Sequence, residues 1–127
     1  MKIIQVSAAI IMNENKILAT QRGIGEFKNG WEFPGGKIEK GETAEQALIR
    51  EINEELNVSV EISSKLITVD YDYPEFHLTM HCFLCRIKSG TMVLKEHKSA
   101  KWLRKEELNA LDWLPADREV VSELANI

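Results

Sequence analysis

The sequence predicts an α+β fold, in which a mixed β-sheet lies between helices as an α/β/α sandwich. Three observations lead to this prediction. Apolar and alternating segments typical of strands recur through residues 3–103, one long amphipathic helix interrupts them after residue 43, and another helix closes the chain after residue 115. With 127 residues we expect one domain, spanning residues 1–127, that is large enough for a real core.

The first predicted strand, residues 3–12, is apolar and β-branched with small residues interspersed. This composition is typical of a strand that is buried on both faces. A turn and a returning strand follow it, and then a polar loop at residues 22–29 and an extended stretch that ends at Pro34. The predicted strands after the first occupy residues 16–21, 59–62, 65–73, 76–87, 91–94 and 98–103.

The long helix has signals at both ends. Thr43 and Gln46 have the spacing of a capping box, apolar residues then recur at helical spacing, and Asn57 stands where a left-handed residue would end the helix. A short helix is predicted at residues 105–111 and a final helix at residues 116–125, just after a proline that suits a first helical turn.

Composition excludes several classes of protein. The net charge of −4 provides no bulk attraction to nucleic acid or to an anionic membrane, so we expect neither as a partner. No apolar run reaches membrane-spanning length, and the start of the chain lacks a cleavage signature, which indicates a cytoplasmic protein. Cys82 and Cys85 lie three residues apart in a predicted strand, so they should face opposite sides and remain reduced, buried thiols. The histidines His77, His81 and His97 lack ligand spacing, and we expect surface or sheet positions for them.

The acids of the long helix are placed unusually. Glu51, Glu54 and Glu55 fall within an arc of about 100° that runs into the apolar edge, where like charges should repel one another. A divalent cation removes this conflict, and with the nearby carbonyl of Gly35 the carboxylates form an oxygen-ligand set suited to Mg²⁺, with Mn²⁺ as a substitute. Taken alone, such a run is more often a solvated glutamate-rich helix face.

The wider segment resembles the Nudix box, G-x5-E-x7-R-E-U-x-E-E-x-G-U, where U is a bulky aliphatic residue. The aliphatic positions hold Ile52 and Val58, and Asn57 replaces the final glycine of the motif. Asn is the next best residue for a left-handed conformation, so this departure affects helix termination and leaves the acids in place. The fixed letters of the motif are matched by Gly36, Glu42, Arg50, Glu51, Glu54 and Glu55.

The resemblance implies a role for each residue of the motif. The Gly35 carbonyl and the three helix glutamates would bind metal, and Glu51 or a distal glutamate would also be a candidate general base. Arg50 would orient the glutamates by a salt bridge. Gly36 and Glu42 would be structural, with Glu42 supporting the loop and the start of the helix.

Beyond the box, the chain is most similar to MutT-type nucleoside triphosphate pyrophosphohydrolases of this family. By that similarity Arg22 would contact a substrate phosphate, and Glu96 would be the distal acid near the metals. The base pocket would be formed by Phe33, Phe76, Leu78 and Asp117. Ordinary alternatives exist, since Phe33 and Leu78 could belong to the core, Glu96 could be a loop acid and Asp117 could cap the last helix.

The identity of the base is left open between two alternatives. Related enzymes that act on 8-oxo-guanine nucleotides can carry Asn at the position of Asp117, which donates and accepts hydrogen bonds, whereas an ionised Asp only accepts. Related enzymes for cytidine nucleotides have a similar Pro-Ala-Asp, and an ionised Asp could accept from the exocyclic amine of cytosine.

The expected activity is therefore a Mg²⁺-dependent cleavage of a (d)NTP to (d)NMP and pyrophosphate, with 8-oxo-dGTP as the first substrate candidate and CTP or dCTP as the alternative. Nucleotide sugars and dinucleoside polyphosphates are a further enzymatic alternative, although 127 residues leave little room for the second moiety. A non-catalytic nucleotide-sensing module is the alternative of another class, but such modules commonly lose acids of the box. The protein would act as a monomer or a homodimer.

Overall fold

The computed structural model describes residues 1–127 and contains seven strands, two α-helices and one 3-10 helix. The elements are β1 (Lys2–Asn13), β2 (Lys16–Arg22), β3 (Trp31–Glu32), β4 (Gly35–Lys37), α1 (Ala44–Leu56), β5 (Ser59–Asp72), β6 (Phe76–Ser89), β7 (His97–Leu103), the 3-10 helix (Lys105–Ala110) and α2 (Pro115–Leu124).

The strands form a mixed sheet with β1 at its centre. The main order is β3-β2-β1-β6-β5, while β4 also pairs with β1 and β7 also pairs with β2. β1 runs parallel to β6, and every other pairing is antiparallel. The predicted mixed sheet is confirmed. Its arrangement brings the end of β2, the start of β4 and the start of β7 to one opening that α1 also lines.

Both faces of the sheet are covered. Alternating residues of β1 enter different clusters, with Ala8 and Ile10 in one and Ala9 and Ile11 in the other. α2 packs on the first cluster, and α1 packs on the second. The prediction that the first strand is buried on both faces is confirmed for residues 7–11, whereas Ile3 near its start is 62% exposed. The sandwich of helices around a sheet is also confirmed.

α1 begins and ends where the sequence predicts. The Thr43 hydroxyl accepts from the Gln46 amide at 3.1 Å, and the Gln46 side chain accepts from the Thr43 amide at 3.0 Å, which completes the capping box. Asn57 has φ 61° and ψ 30°, the left-handed conformation that terminates a helix. The replacement of glycine by Asn in the motif therefore leaves the helix end intact.

Two strand predictions are wrong. The segments predicted at residues 59–62 and 65–73 are not separate strands: β5 runs without a break from Ser59 to Asp72, with irregular pairing near Ser64, and Tyr73 lies just beyond it. Residues 91–94 do not form a strand, because their backbone bonds to the end of α1: the Val93 amide donates to the Leu56 carbonyl and the Lys95 amide to the Glu55 carbonyl. The predicted short helix is a 3-10 helix, and the final helix begins at Pro115.

Cys82 and Cys85 are free and buried, and they belong to the clusters on opposite faces of the sheet, as predicted. Burial raises the pKa of each thiol to about 12, which keeps both in the unreactive thiol form at neutral pH. No helix of the protein combines the length and the apolar character needed to cross a membrane.

Candidate active site

Arg50 is the centre of the charged network on α1. Its Nε atom donates to Glu42 Oε2 at 2.7 Å, its guanidinium also lies 2.7 Å from Glu51 Oε1, and Nη2 donates to the Lys37 carbonyl at 3.1 Å. The hydrogen bond with Glu42 is the main reason why the pKa of Arg50 is raised, and the bond with Glu51 is the next. Arg50 thus holds Glu51 in a defined orientation, and its role in catalysis remains a prediction.

Glu42 ties the loop before α1 to the helix. Its carboxylate binds Arg50 and accepts from the Glu39 amide at 2.9 Å. The hydrogen bond from Arg50 first, and the bond from the Glu39 backbone second, lower the pKa of Glu42 to about 2. These contacts join the loop to α1 through Arg50.

Glu55 is the acid that points inward. It is 9% exposed, and its carboxylate accepts from the Gly35 amide at 3.2 Å. Burial first, and neighbouring carboxylates second, raise the pKa of Glu55 to about 9. Those neighbours are Glu51, Glu96 and Glu32. The charges of several acids therefore act on one buried carboxyl group, including that of Glu96 from a distant part of the chain.

The two glycines before the loop allow this close packing. A Cβ on Gly35 would lie 1.9 Å from the Ser7 carbonyl oxygen, and a Cβ on Gly36 would lie 2.2 Å from Glu51 Oε2. Only glycine at these positions lets β4 pair with β1 and lets Glu51 lie against the strand. The glycine pair is thus explained by close approach of backbone and carboxylate.

The predicted ligands are the Gly35 carbonyl and the carboxylates of α1. Their chemistry fits a hard divalent cation, because all of them are oxygen donors and the negative charges of the carboxylates repel one another. The side chains do not converge in their present conformations, and no group of three or more His, Cys, Asp or Glu residues is arranged to hold a metal ion. Glu51 is paired with Arg50, and the side chain of Glu54, 56% exposed, lies 3.4 Å from the same arginine. The metal ligands remain a prediction.

A cavity of about 170 Å³ opens beside the glycine pair, which Glu55 and Glu51 approach from α1. All four residues predicted to contact the base line it, together with Arg22 and both glycines of the pair. Sequence reasoning missed Phe27 and Tyr73, which also line the cavity. Tyr73 stacks on Phe76 at 5.1 Å between ring centroids and lies 5.6 Å from Phe27, so the cavity has an aromatic wall.

Phe33 lies both in the core and at the cavity. Its residue is 3% exposed and its ring stacks on Trp113 at 4.6 Å, which makes it part of the core, yet it also lines the cavity. Its backbone amide donates to Asp117 Oδ1 at 3.0 Å. The start of α2 is thereby attached to the strand that leads into the glycine pair.

Asp117 is 5% exposed and lines the same cavity. Burial raises its pKa to about 8, against the lowering effect of the hydrogen bond from Phe33. At neutral pH the carboxyl group is therefore mostly protonated, and it can donate as well as accept a hydrogen bond. The sequence-based expectation of an ionised Asp that only accepts is corrected by this burial.

Arg22 is held by Glu32 at the edge of the cavity. Its Nε atom lies 3.0 Å from Glu32 Oε1, and the other carboxylate oxygen of Glu32 lies 3.2 Å from His97 Nε2. These three residues line a second opening of about 240 Å³ that also includes Glu55 and Glu96. The predicted phosphate contact and the predicted distal acid therefore lie near each other. His97 is at the start of β7, a sheet position as expected, although its burial was not foreseen.

Comparison with known proteins identifies the class of protein. The model of the NUDIX domain matches residues 1–124. The chain therefore belongs to the Nudix family, and the resemblance found in its sequence motif is confirmed. The fold is that of Nudix hydrolases, and the prediction of an enzyme of the hydrolase class is confirmed with it.

Among individual relatives, the 8-oxo-dGTP diphosphatase of Escherichia coli K12 is 37% identical over the full length of both chains. The CTP pyrophosphohydrolase of the same organism is 35% identical, with 92% of this chain and 87% of that protein covered. The solution structure of a MutT protein from methicillin-resistant Staphylococcus aureus 252 is 41% identical and superposes with a TM-score of 0.77, covering 97% of this chain and 96% of the other. The predicted similarity to MutT-type enzymes is confirmed.

Proposed function

We propose that this protein is a Mg²⁺-dependent nucleoside triphosphate pyrophosphohydrolase that converts a (d)NTP and water to (d)NMP and pyrophosphate, with 8-oxo-dGTP as its preferred substrate. The observation that carries the proposal is the continuity of the cavity with the glycine pair, since the lining runs from Phe33 and Asp117 to Gly35 and Gly36. A base bound in the cavity would direct its phosphates to the acids of α1. The similarity over full length to an 8-oxo-dGTP diphosphatase supports the same substrate.

The metal would be held by oxygen ligands of the Nudix box and by the distal acid. These would be the Gly35 carbonyl, Glu51, Glu54, Glu55 and Glu96. When bound, Mg²⁺ would neutralise charge on the phosphates and lower the pKa of a water molecule, and Mn²⁺ could replace it. In this role Glu55 would become ionised, because a cation reverses the effect of burial that now raises its pKa.

The remaining side chains would bind and orient the substrate. Arg50 holds Glu51 through the 2.7 Å contact and so would keep one acid in position for proton transfer. Arg22, 39% exposed at the edge of the cavity, would contact a phosphate. Phe76 and Leu78 would pack against the base.

A protonated Asp117 is compatible with an oxidised purine. A neutral carboxyl group offers one donor and one acceptor, the same combination that an Asn side chain offers. Such a group can pair with a purine edge that presents both a donor and an acceptor. A buried partner that matches both would be favoured over one that leaves a polar group unpaired.

CTP or dCTP is the second candidate substrate. Two observations favour it: the 35% identity to a CTP pyrophosphohydrolase, and the presence of Asp at residue 117, which in ionised form would accept from the amine of cytosine. If this candidate were correct, preference for the cytosine nucleotide would increase above pH 8, where Asp117 ionises.

One kinetic screen tests the proposal. Rates with 8-oxo-dGTP, dGTP, CTP and dCTP would be measured with and without Mg²⁺, and the products separated. We expect pyrophosphate, metal dependence and the highest kcat/KM with 8-oxo-dGTP. Release of inorganic phosphate would contradict the proposed bond, and a cytosine preference would select the second candidate.

A matched pair of variants tests the acids. Glu54→Gln should abolish turnover while the fold is kept, because the amide loses the negative charge of a metal ligand. Glu45→Gln makes the same chemical change on an exposed position of α1 and should leave the rate unchanged. Full activity of Glu54→Gln would overturn the role proposed for Glu54 in metal binding.

We also propose that residues 1–127 form one Nudix domain, since both core clusters share the same sheet. A cytoplasmic location is consistent with two free, buried cysteines. The protein would act on a small molecule without a nucleic acid or membrane partner, as a monomer or a homodimer.

A further inference from the structure

We propose that His97 is a positioning residue for Arg22, acting through the carboxylate of Glu32. This inference rests on the proposed function, because it gives Arg22 the role of a phosphate contact. It extends that function to two residues, Glu32 and His97, for which the sequence motif provides no role.

The contacts form a continuous path from a buried ring to an exposed cation. The His97 side chain is 5% exposed, Glu32 is 17% exposed and Arg22 is 39% exposed. Because a carboxylate only accepts hydrogen bonds, His97 Nε2 must be the donor in its 3.2 Å contact with Glu32 Oε2. The other oxygen of Glu32 accepts from Arg22 Nε at 3.0 Å. With both oxygens bound, the carboxylate is held in one orientation and presents one oxygen to Arg22 Nε. Arg22 Nη1 also donates to the Glu26 carbonyl at 3.3 Å, so the carboxylate and this carbonyl hold the guanidinium together.

The second ring nitrogen of His97 indicates that packing alone does not explain a histidine at this position. His97 Nδ1 is buried and has no hydrogen-bond partner. A buried polar atom without a partner is unfavourable, so an apolar ring would suit this position better if packing were its only role. The contact of Nε2 with Glu32 is the one interaction that requires an imidazole here.

Strand pairing supports the same path. Arg22 and His97 are register partners in the β2–β7 pairing, at the irregularity that follows Gln21. Glu96 directly precedes His97, and the Lys95 amide donates to the Glu55 carbonyl at 3.0 Å. The segment is thus held on both sides of Glu96, by the backbone bond of Lys95 and by the side-chain bond of His97. The second of these bonds is the one that also orients Glu32 toward Arg22.

A prealigned Arg22 would lower the entropic cost of phosphate binding, because a long exposed side chain otherwise loses its freedom when the substrate binds. The predicted consequence is an effect on KM for the nucleoside triphosphate and little effect on kcat. Loss of one hydrogen bond to a charged group corresponds to about a tenfold change.

The test compares variants of His97 in the full-length protein. His97→Gln places an amide nitrogen near the position of Nε2 and should keep KM within about threefold of the wild type. His97→Asn places its amide near the position of Nδ1, and His97→Phe has none. Both should raise KM by about tenfold, with kcat changed less than about threefold. Equal KM values for His97→Gln and His97→Asn, or an unchanged KM for both Asn and Phe variants, would overturn the inference.

A double-mutant cycle distinguishes positioning from general damage. Arg22→Ala should raise KM. Adding His97→Phe to it should cause no further increase, because His97 acts on KM only by positioning Arg22, whose guanidinium is already absent in this variant. A merely structural role would instead multiply the two effects. If His97→Phe does not fold, as judged by its circular dichroism, His97→Asn replaces it in the cycle.

A measurement without substrate separates this inference from the proposed function. The Arg22 Nε–H proton would be followed by NMR in the wild type and in each His97 variant. We expect a resolved, slowly exchanging signal in the wild type and in His97→Gln, and its loss by exchange in His97→Asn. A wild type without nucleotide turnover would refute the proposed function alone, whereas an Arg22 signal that is unchanged in His97→Asn would refute the path.

Discussion

Replacing Asp117 with Asn should make the protein more stable at alkaline pH. The carboxyl group is 5% exposed, and its recorded side-chain contact is the 3.0 Å bond from the Phe33 amide. An Asn side chain keeps an oxygen that can accept this bond and carries no charge at any pH. The substitution therefore removes the cost of ionising a buried acid and little else.

The size and sign follow from the pKa of Asp117, which burial raises from an ordinary 3.8 to about 8. Between these values the folded chain binds one more proton than the unfolded chain, so the free energy of unfolding falls as pH rises, by up to about 1.4 kcal/mol per unit. The slope fades near pH 8. Between pH 6 and pH 8 the wild type should lose roughly 2 kcal/mol relative to Asp117→Asn.

Urea denaturation at pH 6, 7 and 8 measures this difference directly. Asp112→Asn serves as the control, because Asp112 lies just before α2 with a side chain that is 94% exposed and undergoes the same change of charge. We expect the control to follow the wild type within about 0.5 kcal/mol at each pH. A difference between Asp117→Asn and the wild type that does not change with pH would refute the reasoning, since it would mean that the buried carboxyl does not bind an extra proton in the folded state.

Two further substitutions test the packing around α1. Gly36→Ala should reduce kcat at least about tenfold, because the new Cβ would lie 2.2 Å from Glu51 Oε2 and must move that carboxylate. A wild-type rate in this variant would contradict the close approach of Glu51 to Gly36. Asn57→Ala should lower the free energy of unfolding by about 1–2 kcal/mol, because alanine is strained at the φ of 61° that this residue has. Asn57→Gly should lower it much less, because glycine adopts this conformation without strain. Equal urea midpoints for the two variants would contradict the left-handed cap.

Local features of the fold could be predicted from the sequence because short-range chemistry determines them. The capping box at Thr43, the left-handed Asn57 and the separation of Cys82 from Cys85 each depend on residues within a few positions. Patterns of period 3.6 and period 2 fix which face a side chain occupies, and no distant contact is needed to state the result.

The features that could not be predicted depend on contacts between distant parts of the chain. Glu32 and His97 are 65 residues apart and meet only because β7 pairs with β2. The protonated state of Asp117 required knowledge of its burial under Phe33, 84 residues away in sequence. For the same reason residues 91–94 were wrongly predicted as a strand, since their composition suits one while the carboxyl end of α1 offers them different partners.

Those backbone contacts have a mechanical consequence. The last turn of α1 carries no basic side chain, and the carbonyls of Glu55 and Leu56 are instead closed by the amides of Lys95 and Val93. The end of α1 and the segment before Glu96 should therefore unfold together, because unfolding of either one would leave backbone groups of the other without hydrogen-bond partners. The backbone of Glu55 is thus hydrogen-bonded to Lys95, the residue before Glu96. The distance between these two predicted metal ligands is therefore set by main-chain hydrogen bonds, and both residues would lose their positions together if those bonds broke.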